Sequence, residues 1–246
     1  MTESPQAIPA EARSWWGQAW PLYRAMVGIG LLCGLAIVTM VELTAPRIAR
    51  NRAAALEAAV FEVIDGVRHR TWELVDGVAK PLAPNRESAV DDPRFHAVHG
   101  PGGELAGFAI EAEGMGYQDT IRLIYGLSLE QQAVVGLRIL DSRETPGLGD
   151  KIETEPHFLA SFERLEVRLA DDGRTILHPI EVVAQGQREH PWQIDGITGA
   201  TISSRAVGSI LRHSTAFWMP RLTALRADLD ADLESSPPTR APEDTP

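Results

Sequence analysis

The run Asp195-Gly196-Ile197-Thr198-Gly199-Ala200-Thr201, continuing as Ile202-Ser203-Ser204, gathers four hydroxyl side chains, two glycines and one alanine within ten positions. Such a run offers hydroxyl donors, backbone N–H groups and little bulk. Gly196 and Gly199 can take positive φ or let the backbone approach a ligand closely. From Ile202 onward, Val207, Ile210 and Leu211 recur on one helical face, with Phe217 and Trp218 close to it. The hydroxyls therefore fall where a helix N-terminus presents unpaired N–H groups, a seat for a phosphate. A Thr/Ser cap on a surface helix needs the same residue types.

Two further stretches have the composition of binding loops. Glu144-Thr145-Pro146-Gly147-Leu148-Gly149-Asp150-Lys151 follows a candidate strand and must be irregular, because Pro fixes one φ and the glycines permit sharp turns. A purely structural turn explains the Pro and Gly residues but not Leu148 on a flexible loop. Met115-Gly116-Tyr117 precedes the strand-like Thr120-Ile121-Arg122-Leu123, and Tyr117 is an aromatic stacking candidate or a core residue.

In this order the three stretches resemble the signatures of one family. Asp195-x-x-Thr198-Gly199-Ala200-Thr201 is similar to the D-x-x-[S/T]-G-A-T flavinylation motif of the Rnf and sodium-pumping NADH:quinone oxidoreductase families. Glu144 to Lys151 looks like a second signature of the same FMN-binding domain, and Gly116-Tyr117 a third. The resemblance covers residues 20–220 and points to the G subunit of Rnf electron-transport complexes. It implies FMN on Thr201 through a phosphoester, moved there from FAD by a separate flavin transferase. An unassisted threonine hydroxyl is a poor nucleophile, so Thr201 would be an attachment point while the flavin supplies the redox chemistry. Gly199 and Ala200 would lie at the cofactor. Thr198 and Ser203 would hydrogen-bond the phosphate or ribityl chain, or cap the helix. Thr145 and Leu148 would lie against the ring, with Glu144 beside them and Tyr117 in another wall. Asp195 would either bind the metal used during attachment or hold the turn through backbone N–H groups. Gln118-Asp119 stands where the family often has small residues.

With 246 residues and 44% hydrophobic content, the chain can bury one good core. A net charge of −11 argues against a nucleic-acid partner, since no basic patch would neutralise phosphates. The only cysteine, Cys33, lies in an apolar run, which excludes an intrachain disulfide and an Fe–S centre held by this chain alone. The seven histidines form no pair at H-x-x-x-H spacing, and no metal site is expected. Electron transfer would then need an organic cofactor.

The elements that must position these residues begin with an N-terminal segment, 1–20, expected to be cytoplasmic. A transmembrane helix over 21–45 follows. Its core, Ala25 to Val41, is seventeen uncharged residues, about 26 Å as a helix. Trp20 and Tyr23 sit at interfacial positions. A cleaved signal peptide would have a shorter apolar core and an A-x-A site. Gly30-x-x-x-Gly34 could contact partner helices or face lipid. Arg47, Arg50 and Arg52 after the span outnumber Arg13 and Arg24 before it, which leans toward a cytoplasmic domain. The resemblance implies the reverse: a single pass through the inner membrane with the large domain periplasmic.

Residues 46–94 read as a helical linker and loop. Asn51 could cap a helix carrying Leu56, Ala59, Val60, Val63, Ile64 and Val67, and 81–94 is rich in Pro, Asn and Asp. The FMN-binding domain is expected over 95–220. Strands are predicted at Leu105–Glu111, Thr120–Leu127, Gln132–Leu140, around Leu165-Val167-Leu169 up to an Asp172-Gly173 turn, and at Ile180–Val183. Helix, strands, then helix without βαβ alternation give an α+β fold with an antiparallel sheet. Residues 221–246 should be helical and then disordered. Leu222, Leu225, Leu229 and Leu233 share a face that docks on a partner or on the domain itself.

The resulting expectation is a flavoprotein subunit of an ion-translocating ferredoxin:NAD oxidoreductase, in contact with lipid and with membrane and peripheral subunits. Alone it should catalyse little, having no nicotinamide motif. The alternatives are the C subunit of a sodium-pumping NADH:quinone oxidoreductase, a membrane-anchored FMN-binding sensory module, and a flavin-free scaffold.

Overall fold

The computed structural model describes residues 10–75, 78–82, 93–233 and 239–240. The chain divides into two units, Met1–Ala54 and Ala55–Pro246. Helix α1 runs over Ala10–Val63. In the first unit its apolar side chains are exposed on every side, among them Leu31, Leu35 and Val38. Among the described residues it is the one helix long and apolar enough to cross a membrane, with a mean hydropathy of 2.2 in its most apolar window. A helix apolar all round needs an apolar surrounding. The helix expected to start at an Asn51 cap does not start there. Extending an existing helix costs less than nucleating a new one, and Ala53 to Ala59 are strong helix formers, so α1 continues.

The second unit is an α+β domain built on an eight-stranded sheet. Its strands are β1 (Arg68–Val75), β2 (Val78–Pro81), β3 (Arg94–His99), β4 (Leu105–Met115), β5 (Thr120–Ser128), β6 (Ala133–Asp141), β7 (Leu165–Glu166) and β10 (Thr239–Arg240). They lie in the order β10-β1-β3-β4-β5-β6-β7, with β2 also on β1. All neighbours in this sheet are antiparallel. A separate parallel pair joins β8 (Glu181–Val183) to β9 (Gln193–Asp195), which leads into the hydroxyl-rich run. Helices α2 (Pro156–Ala160) and α3 (Thr201–Leu233) complete the domain.

Both faces of the main sheet are covered. On one, Ala59, Val60, Val63 and Ile64 pack on Val98, Ala109 and Ile124. On the other, Val207, Leu211, Trp218 and Leu222 of α3 join Trp72, Phe95, Phe108 and Ile110. Two-sided burial explains why β1 and β3 escape a search for alternation: in β3 both Phe95 and His96 are buried, so no polar face marks the strand. The stretch 46–94, expected as helical linker and loop, therefore contributes β1 and β2. Most of the 81–94 loop lies outside the described residues. The strand expected through Val167 and Leu169 is cut to Leu165–Glu166, beyond which the ladder gives way to a single bridge, Leu169 to Ile176. The face formed by Leu222, Leu225 and Leu229 docks on the domain's own core. Of the tail expected to be disordered, Thr239–Arg240 pair with β1, while 234–238 and 241–246 lie outside the described residues.

Candidate functional site

Three loops that are distant in sequence converge at the N-terminus of α3. The first is the β4–β5 turn, closed by the Gly116 N–H donating to Asp119 O at 2.9 Å, with Tyr117 and Gln118 at its tip. The second follows β6. There Thr145 O accepts the N–H groups of Leu148 at 3.1 Å and Gly149 at 2.9 Å, coiling the loop before a 3-10 turn at Gly149–Glu153. The third is the run after β9. Gly199 sits at φ 87°, a conformation that favours glycine, and the next residues enter α3. The buried Ser204 hydroxyl fixes this turn, accepting the Ile197 N–H at 3.2 Å and donating to Ala200 O at 2.9 Å.

Between them lies a cavity of about 380 Å³. Tyr117 lines it from the hairpin, Thr145, Leu148 and Gly149 from the second loop, and Gly199, Ala200, Thr201, Ile202 and Ser203 from the turn and helix. Thr201 is the first residue of α3 and its side chain is exposed. The first backbone bond of the helix runs from Ser204 N–H to Ala200 O, so the N–H groups of Thr201, Ile202 and Ser203 have no acceptor within the helix. Tyr117, Leu148 and Ile202 are 64%, 49% and 57% exposed, three apolar side chains left in water around one opening.

Glu144 does not line the cavity. It is buried behind the wall, its Oε1 accepting the N–H groups of Tyr117 at 2.9 Å and Gln118 at 3.1 Å. The buried Ser203 donates its hydroxyl to Glu144 Oε2 at 2.5 Å, so that proton is unavailable to a ligand. Thr198 is exposed and off the wall, its N–H donating to Gln185 Oε1 at 3.2 Å. Asp195 is also off the wall. Its Oδ1 accepts the Gly186 N–H at 2.6 Å and its own N–H donates to Ser161 Oγ at 3.0 Å. Those contacts are the turn-holding kind, and among the described residues no group of three His, Cys, Asp or Glu side chains could hold a metal. Sequence reasoning missed Ile202 and Gly149 on the wall, although an apolar residue in the exposed first turn of a helix was a usable signal.

The arrangement fits FMN. Free N–H groups and the positive end of a 33-residue helix suit a phosphate, and the apolar rim suits a flat aromatic ring. The volume is within the roughly 300–1,000 Å³ of small-molecule sites. A larger cavity of about 540 Å³ lies further along α3, against Met115, His213 and Trp218, but it has no helix N-terminus.

Residues 116–215 match the FMN-binding domain family, a span that includes all three loops. The chain is 30% identical over 223 residues to the G subunit of the ion-translocating oxidoreductase complex of Cereibacter sphaeroides (strain ATCC 17029 / ATH 2.4.9), covering 88% of this chain and 93% of that one. The chain belongs to this G subunit family. The Shewanella loihica member is 26% identical over 213 residues, covering 83% and 92%. A third, from Methanosarcina acetivorans, is 33% identical over 115 residues, covering 47% of this chain and 53% of that one. In fold the chain is similar to Shewanella oneidensis NqrC, with a TM-score of 0.53 at 18% identity, covering 76% of this chain and 100% of that one. It is likewise similar to the C subunit of the Na(+)-translocating NADH-quinone reductase of Parabacteroides distasonis, with 0.57 at 16% identity, covering 72% and 96%.

Proposed function

We propose that this chain is the flavoprotein subunit of an Rnf-type ion-translocating ferredoxin:NAD oxidoreductase, carrying electrons on FMN joined to Thr201 by a phosphoester. The observation that carries the reading is the cavity at the start of α3, where the three loops meet and Thr201 is exposed at the first helical position. FMN, when bound, supplies the electron-carrying chemistry. The N–H groups of Thr201 to Ser203 hold its phosphate, aided by the helix dipole, worth about 0.3–1 kcal/mol at an exposed site. Leu148, Ile202 and Tyr117 cover the ring and exclude water from it. Asp195 and Gln185 brace the turn from outside. Attachment belongs to a flavin transferase.

In this reading α1 is a single transmembrane anchor in the inner membrane, the domain is periplasmic, and the remaining subunits supply the redox centres on either side. A second reading is the C subunit of a sodium-pumping NADH:quinone oxidoreductase, the class of protein whose solved members share this fold. The subunits that co-purify with the chain distinguish the two, and a free monomer would indicate a sensory module instead.

The test of attachment is expression with a flavin transferase. Thr201→Val keeps the side-chain shape, and its denatured band should lose all ultraviolet fluorescence. Thr198→Val should keep covalent flavin. A fluorescent Thr201→Val band, with the FMN mass on another residue, refutes the assignment.

A further inference from the structure

Glu144 is a carboxylate only 5% exposed. Its partners are all hydrogen-bond donors: the Tyr117 and Gln118 N–H groups on Oε1 and the Ser203 hydroxyl on Oε2. The 2.5 Å bond from Ser203 is at the short end of O–H···O hydrogen bonds. These partners belong to opposite sides of the cavity, Tyr117 and Gln118 to the hairpin tip and Ser203 to the first turn of α3. Glu144 itself lies in the loop after β6. The surrounding backbone is shaped to admit it. A Cβ on Gly149 would lie 2.8 Å from both Glu144 Cβ and Oε2, and one on Gly116 would collide with Oε1.

We propose that Glu144 is a positioning residue, a carboxylate brace that spaces the walls of the flavin pocket and sets a fixed negative charge behind them. This rests on the FMN reading of that pocket. Hydrogen bonds to a charged acceptor are roughly twice as strong as neutral ones, which suits a brace between separate elements. A buried charge is screened by salt far less than a surface charge. It disfavours the negative charge brought by an electron entering the pocket from an external donor, and so holds the bound flavin at a more negative reduction potential.

The experiment uses the full chain expressed with a flavin transferase, as wild type, Glu144→Gln, Glu144→Ala and Ser203→Ala. Covalent flavin per protein is read from in-gel fluorescence, and the midpoint potential from spectroelectrochemical titration with dithionite as reductant. Glu144→Gln keeps an oxygen for the Tyr117 and Gln118 N–H groups and can donate to Ser203 Oγ. It should load close to wild type, with its midpoint displaced to more positive potential at low and high salt alike. Glu144→Ala should lose most of its label. Ser203→Ala retains the charge, so its midpoint should stay below that of Glu144→Gln even where loading falls. Wild-type loading in Glu144→Ala would overturn the brace, and an unchanged or more negative midpoint in Glu144→Gln would overturn the charge effect. If Glu144→Ala fails to fold, reduced loading of folded Ser203→Ala supports the brace and full loading overturns it. A wild-type chain that takes no covalent flavin refutes the underlying FMN reading instead.

Discussion

Ser204→Ala tests whether the turn before α3 is held as described. The Ser204 side chain is fully buried, and its hydroxyl is the acceptor for the N–H of Ile197, itself 3% exposed. Removing the oxygen leaves a buried N–H without a partner, which costs about 1–3 kcal/mol. Alanine is the better helix former, and this returns up to roughly 0.5 kcal/mol. The net loss is then about 1.5 kcal/mol, or roughly 3–6 °C in Tm at about 2–4 °C per kcal/mol for a domain of this size. Thermal unfolding of the detergent-solubilised chain, followed by near-ultraviolet circular dichroism, would measure it. Flavin labelling should slow but not vanish, because Thr201 remains while the turn presenting it loosens. An unchanged Tm together with unchanged labelling would show that the Ser204 bond does not hold this turn.

Gly136→Ala would place a Cβ 2.6 Å from Val63 O and 2.9 Å from Val63 Cα, which are backbone atoms with no rotamer to change. Overpacking of this kind costs about 1–3 kcal/mol, and a Tm equal to wild type would show that the helix end yields freely. His69 is pushed down to about 4 by burial and then by His96, so its neutral form is the one that fits the fold. That stability is complete above the ordinary histidine value of 6.5 and is lost as pH falls toward about 4. His96, whose Nε2 lies 3.7 Å from Glu111 Oε1, holds the Glu111 carboxyl below its usual range, which adds to the loss at the acid end. Tm should therefore decline between pH 6.5 and 4, and His69→Gln should flatten the upper part of that decline; an identical profile in the variant would contradict the assignment. For topology, Ser236→Cys adds one thiol outside the apolar span that contains Cys33. A membrane-impermeant maleimide should label it in intact spheroplasts, and labelling only after lysis would place the domain in the cytoplasm.

Much of the site's chemistry was legible in the chain because it is local. The hydroxyl run, the Pro- and Gly-rich loop and the apolar span each occupy a short stretch whose residue types carry their own physical meaning. The same holds for β4, β5 and β6, the long strands that follow clear β patterns. The rest depended on tertiary structure. β1 and β3 carry histidines and arginines and are covered on both faces, so no alternation sets them apart. Which hydroxyl faces the cavity could not be read from neighbours in sequence, since the cavity is made by residues as far apart as Tyr117 and Ser203. Thr198 and Asp195 fall outside it because the backbone turns at Gly199 and commits them to the loop holding Gln185 and Gly186. In sequence Glu144 reads as one more residue at the cofactor. Its place behind the wall follows from donors 26, 27 and 59 positions away along the chain. Local composition specifies what a segment can do, whereas the partner of a buried polar group is chosen by the fold.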